Sequence, residues 1–230
     1  MHLGFFRLIK LFFLSLFLQT SWSFYSMQSL GFFVTLFSSL DEEKKKLLLQ
    51  NRRLFFNTHP YMAGFIIGAV LRALENDGDG EDIKKHITVS QSAFAAYGDM
   101  FFWQTLRPGL SILGVIIGLK YGIWGPILFL GIYNIIHLFF RFYGFIAGYQ
   151  KGWDVVFMLK ARAFSILQRA YEALGAFLIG LLPVVLPRNY HTLCIIPVGG
   201  IFLILLWKKV APILILTFVF ILIIINLILI

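Results

Sequence analysis

Residues 210–230 contain no charged side chain, and Thr217 and Asn226 are their only polar ones. A helix of that length and composition crosses a hydrocarbon core of about 30 Å. A chain that enters lipid has few folds open to it, because every backbone polar group there must be paired internally. The rest of the sequence agrees, with 59% hydrophobic residues, 13% charged residues and a mean hydropathy of +0.84. These values lie far from those of an average soluble domain. The expected fold is therefore an all-α polytopic membrane protein, with amphipathic interfacial helices, re-entrant or broken helices and a C-terminal spanning helix.

The formal net charge of +9 fits loops that face the cytoplasm and anionic lipid. No nucleic-acid motif accompanies it, so no nucleic-acid partner is expected. Cys194 is the single cysteine, which excludes an intramolecular disulfide and a cysteine-based metal site. No metal or cofactor is expected, and none of the five histidines has a ligand-like spacing.

Read in order, residues 1–23 carry Arg7 and Lys10 before an apolar run and end in small residues, in the manner of a secretory signal. The aromatic run continues through Phe24 and Tyr25 without a small-residue cleavage pattern, which favours an uncleaved interfacial helix. Ser38 or Ser39, then Asp41 to Glu43, then Lys44 to Lys46 place acids before bases, as a helix start requires. With Leu47 to Leu49, Arg52 and Arg53, this stretch reads as an amphipathic surface helix on the cytoplasmic side.

Two polar clusters stand among the apolar tracts. In FFNTHPYMAGF (55–65), Asn57 or Thr58 followed by Pro60 predicts a capped helix over 61–74, with Gly64 and Gly68 allowing close helix approach. His59 beside such a cap is read first as a structural hydrogen-bonding group. NDGDGED (76–82) is a loop that mimics the start of a calcium site, but Asp82 stands where that motif needs glycine and Thr88 where it needs its final glutamate. A helix is predicted over 83–96.

The second cluster is GDMFFWQTLRP (98–108), with Asp99 and Arg107 at the edge of an apolar tract. Charges in such places face protein, water or a ligand. The 11 residues 109–119 are too short to span, which predicts a re-entrant segment. Residues 123–140 are long enough to cross, followed by a loop carrying Arg141, Tyr143, Tyr149, Lys151, Trp153 and Asp154. A basic amphipathic stretch over 160–172 and apolar stretches over 173–186, 193–207 and 210–230 complete the chain. With Lys208 and Lys209 inside, the C-terminus emerges outside, and the turn 187–192 also faces out. One membrane domain over 1–230 is expected, comprising an interfacial part (1–56), a core with broken helices (57–159) and C-terminal membrane helices (160–230).

These segments resemble the IID membrane component of the mannose, fructose and sorbose type of bacterial phosphotransferase system. The resemblance is carried by LFLQTSWSFYSMQSLGF (16–32), FFNTHPYMAGFIIG (55–68), GDMFFWQTLRP, GPILFLGIYNIIHLFFRFYGFIAGYQKGWDVV (125–156) and WKKVAP (207–212). It implies a transporter subunit in the bacterial inner membrane rather than an enzyme. A IIC partner would share the sugar path, soluble IIA and IIB proteins would carry the phosphoryl group, and IIC–IID pairs would assemble as a homotrimer. A hexose-type sugar would meet Asn57, Thr58, His59, Asp99, Trp103, Thr105 and Arg107, through hydrogen bonds to its hydroxyls and stacking on the tryptophan. The structural alternative makes Asp99 and Arg107 a buried pair that holds the broken helix together. The chain departs from the family pattern at Tyr25, Ser26, Met100 and Gln104 and in the short segment 187–192. These departures raise the alternative of a diverged, non-transporting homologue with a regulatory or scaffold role.

Overall fold

The computed structural model describes residues 4–50, 55–76, 78–160, 165–166, 169–171 and 173–175. The chain divides into two units, Met1–Ile179 and Gly180–Ile230, and all described residues belong to the first. The expectations for Arg52 and Arg53, for the apolar stretches 193–207 and 210–230, for the turn 187–192 and for Lys208 and Lys209 lie outside the described residues, as do most of 160–172 and 173–186.

The described chain is helical, with extended backbone paired only at the isolated bridges Ser23–Met27 and Met27–Phe56. Helix α1 (Phe5–Leu16) buries Leu8, Leu11 and Ser15 along one face and exposes Phe6 and Phe13 on the other. Helix α2 (Ser29–Phe37) follows a turn so close that a Cβ on Gly31 would lie 2.2 Å from the Leu18 carbonyl oxygen. Helix α3 (Glu42–Gln50) starts where Asp41, rather than Ser38 or Ser39, caps it, accepting from the Lys44 N–H at 2.9 Å.

Helix α4 (Ala63–Glu75) is the centre of the packing, with Ala63 to Leu71 and Leu74 all buried. The predicted caps are not used. The helix begins after Met62 without a side-chain cap, too far along the chain for Asn57 or Thr58 to serve as its N-cap. Gly64 and Gly68 do permit close approach. A Cβ on Gly68 would lie 2.5 Å from the Phe145 carbonyl oxygen, and one on Gly148 would lie 2.1 Å from that of Phe65. Glycines on both helices thus bring two backbones together.

Helix α5 (Gly80–Gly98) starts earlier than predicted, taking Glu81 and Asp82 into its first turn, where acids oppose the positive end of the helix. The predicted break at 98–108 and the re-entrant segment at 109–119 are not observed. Instead α5 runs through a π-helical stretch (Asp99–Leu106) into α6 (Arg107–Tyr121), one continuous helix over Gly80–Tyr121. Pro108 is the physical reason: in an α-helix its ring would strike the Gln104 carbonyl, and a widened turn just before it makes room while the backbone stays hydrogen-bonded. Gly122, at φ +60°, turns the chain into α7 (Trp124–Lys151).

Helix α7 also runs past the predicted loop start. Arg141, Tyr143, Tyr149 and Lys151 lie within it, because Phe140, Gly144, Phe145 and Gly148 form a buried face, on which Gly144 and Gly148 back against Phe65 of α4. Gly152, at φ +61°, ends the helix before a 3-10 stretch (Gly152–Lys160) that carries Trp153 and Asp154. The stretches Gly80–Tyr121 and Trp124–Lys160 are long and apolar enough to cross a membrane. The 28 residues of α7 extend about 42 Å, longer than a hydrocarbon core of ~30 Å. Trp124 stands at one end and Tyr149 and Trp153 at the other, the arrangement of two aromatic belts.

Candidate functional site

The loop 56–62 is held by two glutamines. Gln28 Nε2 donates to the Thr58 carbonyl at 2.9 Å while its Oε1 accepts from the Thr58 N–H at 3.3 Å. Gln91 Oε1 accepts from the Asn57 N–H at 2.9 Å, and the Gln91 carbonyl accepts from the Thr58 hydroxyl at 3.1 Å. Thr58 is therefore a buried structural tie, whereas the Asn57 residue is exposed.

So braced, the loop presents His59 to the π-helical stretch. The imidazole stacks on Phe102, with centroids 5.0 Å apart and planes 12° apart, and meets Trp103 edge-on at 5.0 Å. Gly98 is required there, since a Cβ would lie 2.3 Å from His59 Cβ. The two polar clusters of the sequence therefore do come together. His59 is 1% exposed. Burial first, then the nearby Arg141 guanidinium and His137, push its pKa down to about 3, so the ring is neutral at physiological pH.

The remaining predicted residues separate into inner and outer ones. Thr105 is buried, and its hydroxyl donates to the Met100 carbonyl at 2.9 Å, serving the π-helical backbone. Asp99, half-buried, Trp103, 47% exposed, and Arg107, exposed, are spaced four apart and line one side of the widened helix, with exposed Gln104 beside them. Asp99 and Arg107 are not an ion pair. The pairs among the described residues are Arg7–Glu75, Lys45–Glu42 and Lys85–Asp82.

Sequence reading missed the other side of this site. Tyr61 stacks on His137 at 4.4 Å, and the Arg141 guanidinium carbon lies 5.4 Å from the Tyr61 ring centroid. Arg141 is 5% exposed. It donates to the Ser15 carbonyl, in the last turn of α1, where the helix dipole favours a cation. Helices α6 and α7 are antiparallel, with Gly114 against Gly125 and Phe129, and Gly118 against Gly125. Helical rise places both Arg107 and His137 about 20 Å along their helices from the turn at Gly122. Two charged or titratable residues at one depth, on neighbouring helices, are a signal that spacing alone could have supplied.

The family model described as "PTS system mannose/fructose/sorbose family IID component" matches residues 6–188. The chain belongs to the mannose/fructose/sorbose IID family. Among its relatives, the mannose-specific EIID component of Escherichia coli K12 is 33% identical over 71% of this chain and 62% of its own length. The fructose permease IID component of Bacillus subtilis is 32% identical over 76% of this chain and 68% of its own. This IID chain thus spans less than two thirds of the length of the Escherichia coli relative. Among solved structures, a chain of the complex of mannose transporter ManYZ with microcin E492 matches with a TM-score of 0.60 at 26% identity, covering 96% of this chain and 94% of that one. A chain titled only as a membrane protein matches with a TM-score of 0.73, again at 26% identity, covering 96% and 95%.

Proposed function

We propose that this IID chain is a membrane subunit of a mannose-family sugar permease of the bacterial inner membrane. With a IIC subunit it forms the translocation path for a hexose-type sugar, and uptake is coupled to phosphorylation by IIA and IIB proteins. IIC–IID pairs assemble as a homotrimer, with the N-terminal part on the cytoplasmic side and the C-terminus outside. The observation that carries this reading is the outward face of the π-helical stretch. Trp103, Gln104 and Arg107 are exposed and Asp99 is half-buried, within a segment long and apolar enough to span. Charges in that position need protein, water or ligand to face. A IIC surface with a sugar between the subunits supplies protein and ligand.

In that path Trp103 offers a ring face to sugar C–H groups, while Asp99, Asn57 and Arg107 offer hydrogen bonds to hydroxyls. The test is co-purification with IIC from native membranes, followed by uptake of labelled D-mannose, D-fructose and L-sorbose. Asp99→Asn and Trp103→Ala variants should co-purify with IIC and lose uptake about tenfold or more. Asp99→Asn with normal uptake removes Asp99 from the path. A chain recovered without IIC, from membranes that contain it, supports the regulatory or scaffold reading that the altered Met100 and Gln104 positions suggest.

A further inference from the structure

Three nitrogen atoms around the Tyr61 ring are buried and have no hydrogen-bond partner among the described residues: His59 Nε2, His137 Nδ1 and Arg141 Nε. Their hydrogen-bonding roles follow from what their neighbours do. Asn134 Nδ2 donates to the Leu130 carbonyl at 2.7 Å, which turns Asn134 Oδ1 toward His137 Nε2 at 2.8 Å. An amide oxygen only accepts, so His137 Nε2 carries the hydrogen and Nδ1 is left as an acceptor. At His59 the Tyr61 N–H donates to Nδ1 at 3.3 Å, so Nδ1 accepts and the neutral ring carries its hydrogen on Nε2. Arg141 Nε–H can only donate. The unmet set is therefore two donors and one acceptor.

That mixture selects the chemistry of what can satisfy it. A carboxylate or phosphate only accepts, and would set its lone pairs against that of His137 Nδ1. A hydroxyl donates and accepts through one atom, so hydroxyls match both kinds of unmet group. Unmet polar groups are costly to bury, by amounts that a bonded ligand recovers. The cluster also has an open flank, since Tyr61, Tyr133 and His137 are half-buried and Asn134 and Trp103 are exposed. Trp103 meets His59 edge-on and supplies an aromatic surface at the entrance. We infer that His59, His137 and Arg141, gathered on Tyr61, form a hydroxyl-reading subsite for a hexose. This inference rests on the transporter reading and adds to it His137 and Arg141 of α7, which join His59 on the side of Tyr61.

The test uses the chain purified with its IIC subunit, and equilibrium binding of D-mannose, D-fructose and L-sorbose. The one that binds is then compared with its monodeoxy derivatives. In the unaltered complex, one derivative should bind about tenfold more weakly than the parent sugar. In His137→Phe, which keeps a ring on Tyr61 but no acceptor, the parent sugar should weaken by a similar factor, and the preference over that derivative should vanish. A preference that survives in His137→Phe overturns the subsite. The unaltered complex gives an independent measure through diethylpyrocarbonate labelling read by mass spectrometry. Bound sugar should slow the modification of His137 several-fold and leave His86, exposed and stacked on Trp153 elsewhere, unchanged. Equal labelling of His137 with and without a sugar that demonstrably binds overturns the subsite and leaves water as its occupant. Binding of none of the three sugars overturns the transporter reading as well, so the two failures are distinguishable.

Discussion

Gln91 braces the loop before α4 through its side-chain oxygen and its backbone carbonyl at once. Replacing it with alanine removes the acceptor for the Asn57 N–H. Gln91→Ala should cost about 1–3 kcal/mol, read as a lower unfolding temperature in detergent, with an unchanged helical signal before the transition. His59 gives a pH dependence. Its value in the fold, about 3, lies below its ordinary 6.5, so between these limits the unfolded chain binds the extra proton and stability rises with pH. The contribution is fully present above pH 6.5 and is lost as pH falls toward 3. Unfolding temperatures measured across that window should fall more steeply for the unaltered chain than for His59→Phe. At this scale the sequence was only partly legible. His59 stands out beside Pro60, but its neutral state depends on burial beneath Phe102 and Trp103. Gln28 and Gln91, which set its position, look like ordinary polar residues until the fold brings them to residues 57–58.

The elements show the same division. Gly64 and Gly68 announce a close helix approach through their spacing, and the structure supplies the matching Gly144 and Gly148. Gly148→Val should therefore separate α4 from α7 and prevent recovery of folded protein. Gly131, also within α7 but with nothing within 4 Å of an added Cβ, gives the control. Gly131→Ala should be neutral or stabilising by up to about 1 kcal/mol, and a destabilised Gly131→Ala would count against the glycine-contact explanation. The π-helical stretch was not legible in the same way. Proline, glycine and charge together read as a broken helix, whereas a widened turn accommodates Pro108 without releasing the backbone from its hydrogen bonds. The end of helix α7 is not legible either, because Arg141 has the local sequence of a loop residue. A cation that ends its reach on the last turn of another helix has no signature in its own neighbourhood.

For the described molecule, α1 is fastened near both of its ends. Arg7 pairs with Glu75 at 2.8 Å and donates to the Ser39 carbonyl at 2.9 Å, Lys10 donates to the Ser38 carbonyl at 2.8 Å, and Arg141 holds the Ser15 end. Tyr149 donates to the second oxygen of Glu75 at 2.5 Å, so one carboxylate links α1, α4 and α7. Arg7→Met should cost about 2 kcal/mol. It should also raise hydrogen exchange over residues 5–12 before any change over 130–148, and simultaneous loosening of both regions would show that α1 is no separate attachment. The membrane class and the family were readable because they rest on bulk apolarity and on contiguous motifs. The fastening of α1 was not, because its bonds join residues far apart in the chain.

The tight turn at Gly122 also bears on how the protein is made. With only Gly122 and Ile123 between α6 and α7, no connecting loop exists to be passed across the bilayer on its own. The two helices are therefore expected to enter the membrane as a paired hairpin during synthesis, with Lys120, Tyr121 and Trp124 travelling together at its tip. Their insertion should register as one event on the elongating ribosome. A translation-arrest reporter should show a single pulling-force peak after α7 has emerged, and lengthening the turn with a polar linker should split that peak in two.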